Sequence, residues 1–215
     1  VHILLSTLGE ERLWNAIYSK ASAELGSDDG PAALGTLENA SRIYSYEDSD
    51  FRKRIKYAIN FALPVILSEH ILRGLISEEL QDEKSLVEEW FVTPEEARDM
   101  EGAGMVIAAH GHSHISSTQL SPTQMEAEVL KCHETLTRVL EQQPRWFAYP
   151  FGGNKGSMDI LEHCDQVLMS LGYIATFLYG SSPDPWLTIR PNGFGRFDRL
   201  DCVNLPPRSS FTFPI

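Results

Sequence analysis

The chain has 215 residues, and its 42% hydrophobic content can fill one globular core, so a single domain over 1–215 is the default. A formal charge of −12 argues against nucleic acid or an anionic membrane surface as partner, because both are gripped by clustered Lys and Arg. No window approaches the roughly 20 apolar residues of a transmembrane helix. A neutral or cationic ligand fits better, and the cytoplasm is the favoured location. The opening Val1-His2-Ile3-Leu4-Leu5 lacks a signal peptide's build, and Cys132, Cys164 and Cys202 have no Cys-x-x-Cys spacing, so buried free thiols are expected.

Residues 1–91 read as mainly helical, with a small, acidic loop at 26–31. Within 50–67, Phe51, Ile55, Ala58, Ile59, Ala62 and Ile66 form a helical stripe that Pro64 should bend or end. From Thr93 the pattern changes. Thr93-Pro94-Glu95-Glu96 is a capping box with proline at the first helical position, and Gly102 or Gly104 can stop that helix. Met105-Val106-Ile107-Ala108-Ala109 has no polar member, as expected of a strand covered on both faces. Ser121-Pro122-Thr123-Gln124 opens another helix, carrying Met125, Val129, Cys132, Leu136, Val139 and Leu140 at helical spacing. Residues 146–149 read as a strand, 157–171 as a helix closed by Gly172, and 173–178 as a further strand. Alternating helix and strand imply a parallel α/β sheet from 105–109, 146–149 and 173–178.

The strongest chemical signal is Ala109-His110-Gly111-His112-Ser113-His114, three histidines at alternate positions directly after a strand. Sites in α/β proteins gather at the carboxyl ends of strands, and neutral imidazole is a common ligand for Zn, Ni, Co or Fe. If the chain turns helically, His110 and His114 share a face; if it stays extended, all three point the same way. The plainer alternative is a polar loop rich in histidine by chance. A second segment, Phe147-Ala148-Tyr149-Pro150-Phe151-Gly152-Gly153, ends a strand in a turn that can aim backbone N–H groups into a site. His2, His70, His133 and His163 have no partner spacing and read as structural or solvated.

Together these segments resemble the polysaccharide deacetylases of carbohydrate esterase family 4. The Gly-rich lead into a strand and His-x-x-x-His matches 103–114, Tyr149-Pro150-Phe151-Gly152 matches the Pro-aromatic-Gly turn, and 193–199 looks like an Arg-aromatic-Asp segment near the end of some members. The resemblance covers about residues 93–205. It implies a distorted or incomplete (β/α) barrel with a helical stretch ahead of it, and a hydrolase removing N- or O-acyl groups from a carbohydrate. It also implies a divalent metal, Zn first and Co or Ni as alternatives, held by His110 and His114, with His112 not a ligand. The Phe151 backbone N–H would then be the oxyanion donor, and Tyr149, Pro150, Gly152 and Arg196 would face the substrate.

Three departures stand out. No Asp-Asp after a strand precedes His110, because Asp28-Asp29 lies in the polar loop; the family's arginine before the proline is Ala148; and no histidine follows His163 to serve as general acid, although Arg190 or Arg196 could compensate electrostatically. The missing carboxylates are expected on a strand upstream of Val1, with 1–91 an insertion between it and the strand leading to His110. A substitute base would be Asp184 or Asp198. Two rivals remain open: another metal-dependent amidohydrolase, and a non-catalytic carbohydrate-binding or degenerate deacetylase-like protein.

Overall fold

The computed structural model describes residues 1–26, 29–80, 82–152, 158–179, 187–189 and 193–199. The chain forms two compact units, Val1–Phe91 and Val92–Ile215.

The first unit is helical: α1 (His2–Leu8), α2 (Glu10–Leu25), α3 (Asp29–Ala33), α4 (Leu37–Ile43), α5 (Asp50–Tyr57), α6 (Val65–Glu79) and α7 (Glu83–Trp90). Its core is made by Leu4, Leu13, Ile17, Ala21, Leu34, Ile55, Ala58, Ile59, Leu63, Ile71 and Leu75. The stripe read in 50–67 holds as far as Ile59. The helix then widens into a π turn at Ala58–Ala62 and breaks, and Pro64, with no N–H to lose, stands at the start of α6. Because the break resets the helical phase, Ile66 is 84% exposed instead of joining the stripe.

The second unit contains α8 (Pro94–Gly102), α9 (Pro122–Leu140), β1 (Trp146–Ala148), α10 (Met158–Ser170), β2 (Ala175–Tyr179), β3 (Leu187–Ile189) and β4 (Gly195–Arg199). Both expected capping boxes form, at Thr93 and at Ser121. The sheet order is β1-β2-β4-β3, with β1, β2 and β4 parallel and β3 antiparallel to β4. Among the described residues this is an open four-stranded sheet, and no closed barrel is formed. Met125, Val129, Cys132 and Leu140 of α9 pack with Phe147, Tyr149, Leu161, Cys164 and Leu168 into its core. Cys132 and Cys164 are free and buried; Cys202 lies outside the described residues. Among the described residues, no helix is long and apolar enough to cross a membrane.

One strand expectation is corrected. Residues 105–109 do not form a strand covered on both faces: only Ala109 pairs, as a single parallel bridge to Phe147. Met105 is 56% and Val106 70% exposed. An apolar run reports the capacity to be buried, and no described strand pairs with residues 105–108. What survives is the part that matters for position, namely Ala109 fixed to β1 immediately before His110.

Candidate active site

Ala109 is held from both sides: its N–H donates to the Trp146 carbonyl at 2.9 Å, and its own carbonyl accepts from the Ala148 N–H at 2.8 Å. This places His110 at the carboxyl end of β1. The His110 Nδ1 lies 2.7 Å from the Ala148 carbonyl oxygen. A carbonyl only accepts, so Nδ1 is the donor in this contact, which leaves Nε2 as the nitrogen available to a ligand.

The segment then folds back as a loop, neither the helix nor the extended run that the spacing allows. Gly111 and His114 have φ of 79° and 52°, both in the left-handed region. The turn brings the His110 and His114 rings to 4.8 Å between centroids, edge to face at 73°; all three histidines of the loop are exposed. Partial burial first, and the charge of His110 second, lower the His114 pKa from its ordinary value. Both effects favour the neutral imidazole.

Phe151 comes to the same place from the other segment. Its ring sits 4.8 Å from that of His114, at the centre of the short helical turn Pro150–Gly152, with φ of 53°. Pro150 packs beneath the histidine loop so closely that a Cβ on Gly111 would meet its Cγ at 3.2 Å. Non-glycine residues with positive φ are, among those described, His114, Glu141 and Phe151. Two of these touch each other here. Each such conformation costs of the order of 1–3 kcal/mol and persists where the surroundings impose it.

Two of the other expected substrate contacts, Tyr149 and Arg196, meet at one carboxylate. Tyr149 is fully buried, and its hydroxyl donates to Asp165 Oδ1 at 2.8 Å. Burial, followed by the charges of Cys164 and Asp165, pushes its phenol well above the ordinary value, so it remains a neutral donor. Arg196 does not stand free beside the loop; its Nε donates to Asp165 Oδ2 at 3.0 Å and its Nη2 reaches the same oxygen. Thr176 Oγ1 completes the set at 3.3 Å from Oδ1. A buried carboxylate on α10 therefore ties Tyr149, β2 and β4 together. The sequence held one signal for it, a charge at 165 inside the apolar stripe Leu161, Cys164, Leu168. Of the remaining histidines, His133 is buried against the Tyr173 ring, and His163 pairs with Glu126 at 3.1 Å.

Among the described residues, no group of three or more His, Cys, Asp or Glu could hold a metal ion. The chemistry of the donor set fits two imidazole ligands and supplies no third. Asp184 and Arg190 lie outside the described residues, and Asp198 stands on β4 in register with Leu178.

A family model described as polysaccharide deacetylase matches residues 68–173, a span that begins within α6 and ends at the start of the segment leading to β2. No curated protein matches the chain. Similar solved structures include a Mycobacterium smegmatis protein named for polysaccharide deacetylases, 20% identical, with a TM-score of 0.39 over 50% of this chain and 35% of that one. The Streptococcus pyogenes deacetylase PplD, solved in complex with acetate, is 16% identical with a TM-score of 0.43, over 61% of this chain and 57% of that one. A Puue allantoinase is 17% identical with a TM-score of 0.37, over 50% and 33%. The chain thus spans about a third of the first of these proteins and just over half of the second.

Proposed function

The chain belongs, through residues 68–173, to the polysaccharide deacetylase family, and on that footing we propose that it is the metal-site-bearing part of a hydrolase that removes N- or O-acyl groups from a carbohydrate. The observation that carries the reading is the convergence of His110, His114 and Phe151, with the two imidazoles 4.8 Å apart and the Phe151 ring against the second. His110 and His114 would hold a divalent metal, Zn by ligand type with Co or Ni as alternatives. Such an ion supplies Lewis-acid polarisation of the acyl carbonyl.

The chain's own residues do the rest. The Ala148 carbonyl fixes the His110 tautomer. The Phe151 N–H is assigned to the developing oxyanion, while Pro150 and Gly152 shape the turn that presents it. Tyr149 and Arg196 serve this turn from the core through Asp165 and do not touch the sugar. We read the open sheet as part of a distorted (β/α) barrel, with 93–205 the deacetylase-like part and 1–91 an insertion.

The test is acetate release from N- and O-acetylated oligosaccharides with added Zn²⁺ or Co²⁺ and again after chelation. Release, however slow, that stops on chelation is expected; release indifferent to chelation and to His114→Ala contradicts the proposal. The lack of a third ligand among the described residues favours one second reading, a carbohydrate-binding protein without turnover. Saturable glycan binding with no acetate release under any metal condition would select it.

A further inference from the structure

Resting on the assignment of His110 and His114 as ligands, we propose that α9 sets their geometry, with Glu128 and Cys132 acting as positioning residues that grip the histidine loop by its backbone. The two residues are four apart on one helix and so share a face. The Ser113 N–H donates to Glu128 Oε2 at 2.6 Å, a short, charge-assisted bond. One turn further on, Cys132 lies beside the same loop: burial pushes its thiol pKa up, and the nearby His110 and Gly111 N–H groups oppose that rise. That thiol is 6% exposed.

This arrangement answers a need created by the loop. After Ala109 the chain leaves the β1 ladder, and positive φ at Gly111 and His114 prevents it from forming a helix of its own. Its amides therefore require acceptors from outside, and α9 supplies the Glu128 carboxylate to Ser113 and sets the Cys132 sulfur beside His110 and Gly111. The helix is itself rigidly seated, capped at Ser121 and buried through Met125, Val129 and Leu140. From the opposite side the Ala148 carbonyl holds the His110 ring. The distance between the two imidazoles is thus fixed by α9 and β1, not by the loop's own preference. A surface cap that merely steadied the loop would alter stability but not the affinity of the two imidazoles for an ion.

The experiment compares the 215-residue chain with Glu128→Ala, Glu128→Gln and Cys132→Val by Co²⁺ titration, thermal unfolding and amide hydrogen exchange over residues 110–114. Loss of an outer residue that orients a ligand typically weakens metal affinity about 10–100-fold, and that range is expected for Glu128→Ala, with faster exchange at Ser113. Glu128→Gln keeps an oxygen acceptor and should recover most of the affinity. Cys132→Val should speed exchange at His110 and Gly111. Unchanged Co²⁺ affinity in Glu128→Ala overturns the proposal, whether or not exchange at Ser113 quickens. If the wild-type chain binds no Co²⁺, the ligand assignment itself fails; exchange at Ser113 then judges the grip separately, and an unchanged rate overturns it.

Discussion

Replacing Asp165 with alanine is expected to lower the unfolding free energy by about 3–5 kcal/mol, the usual consequence of leaving one member of a buried ion pair alone. Asp165 has no exposed side-chain surface and Arg196 retains 13%. The carboxylate accepts from Arg196, Tyr149 and Thr176 at once. Without it, a guanidinium and a hydroxyl lose this acceptor, and the phenol loses the shorter of two, keeping the Leu161 carbonyl at 3.3 Å. Each unsatisfied buried group costs roughly 1–3 kcal/mol, partly relieved where water can enter beside Arg196. Urea unfolding measures the change. Asp165→Asn, which keeps an acceptor, provides a milder variant should the alanine form not fold. Replacing both partners, Asp165→Leu with Arg196→Met, should restore much of the loss, because an apolar pair of similar volume leaves no orphaned charge. A shift within the roughly 0.5 kcal/mol of ordinary surface substitutions, in the alanine and asparagine variants alike, would show that the network does not hold the sheet to α10.

The second large effect concerns the base. The described residues bring no Asp or Glu into a ligand group with His110 and His114, and the family resemblance implies a carboxylate at that place. Comparing the chain with one that carries an Asp-bearing strand ahead of Val1 locates the base: a rise in turnover of an N-acetylated oligosaccharide of about 10²–10⁴-fold, the range a positioned general base contributes, places it outside residues 1–215. The strand would also add a neighbour to the segment around Ala109, where Met105 and Val106 are exposed. The measurement is the rate of acetate release with Zn²⁺ or Co²⁺ present, with and without the added strand. Equal rates would locate the base within residues 1–215. Asp184→Asn and Asp198→Asn would then identify it by which one abolishes release.

Much of the second unit could be read from local chemistry. The capping boxes at Thr93 and Ser121, the apolar stripe of α9 and the glycine stop at Gly172 are short-range signals, and each feature forms where its residues lie. The strand at 105–109 was legible only at its last residue, because apolar composition reports the capacity to be buried and not the presence of a partner. Ile66 shows the same limit in the helical unit, where the π turn before Pro64 shifts the phase that periodicity assumes to be constant. At the site, alternate histidines at a strand end marked the loop, but not its left-handed turns at Gly111 and His114, nor the acceptor that its Ser113 N–H finds on α9. The family resemblance implied that Tyr149 and Arg196 face the substrate. Their actual partner, Asp165, lies on a helix whose periodicity reads as apolar, so pairing across three elements was not visible in any one segment.

The central claim, that His110 and His114 together hold a divalent metal, is tested most directly by equilibrium Co²⁺ titration of the chain and of single histidine variants. The rings already lie 4.8 Å apart, so the wild-type chain should bind equimolar Co²⁺ with a spectrum shifted by nitrogen ligation. His110→Ala and His114→Ala should each lose more than the roughly 10–100-fold typical of supporting residues, and His112→Ala should bind as the wild type does. Unchanged stoichiometry and affinity in His114→Ala, or an equal loss in His112→Ala, would contradict it.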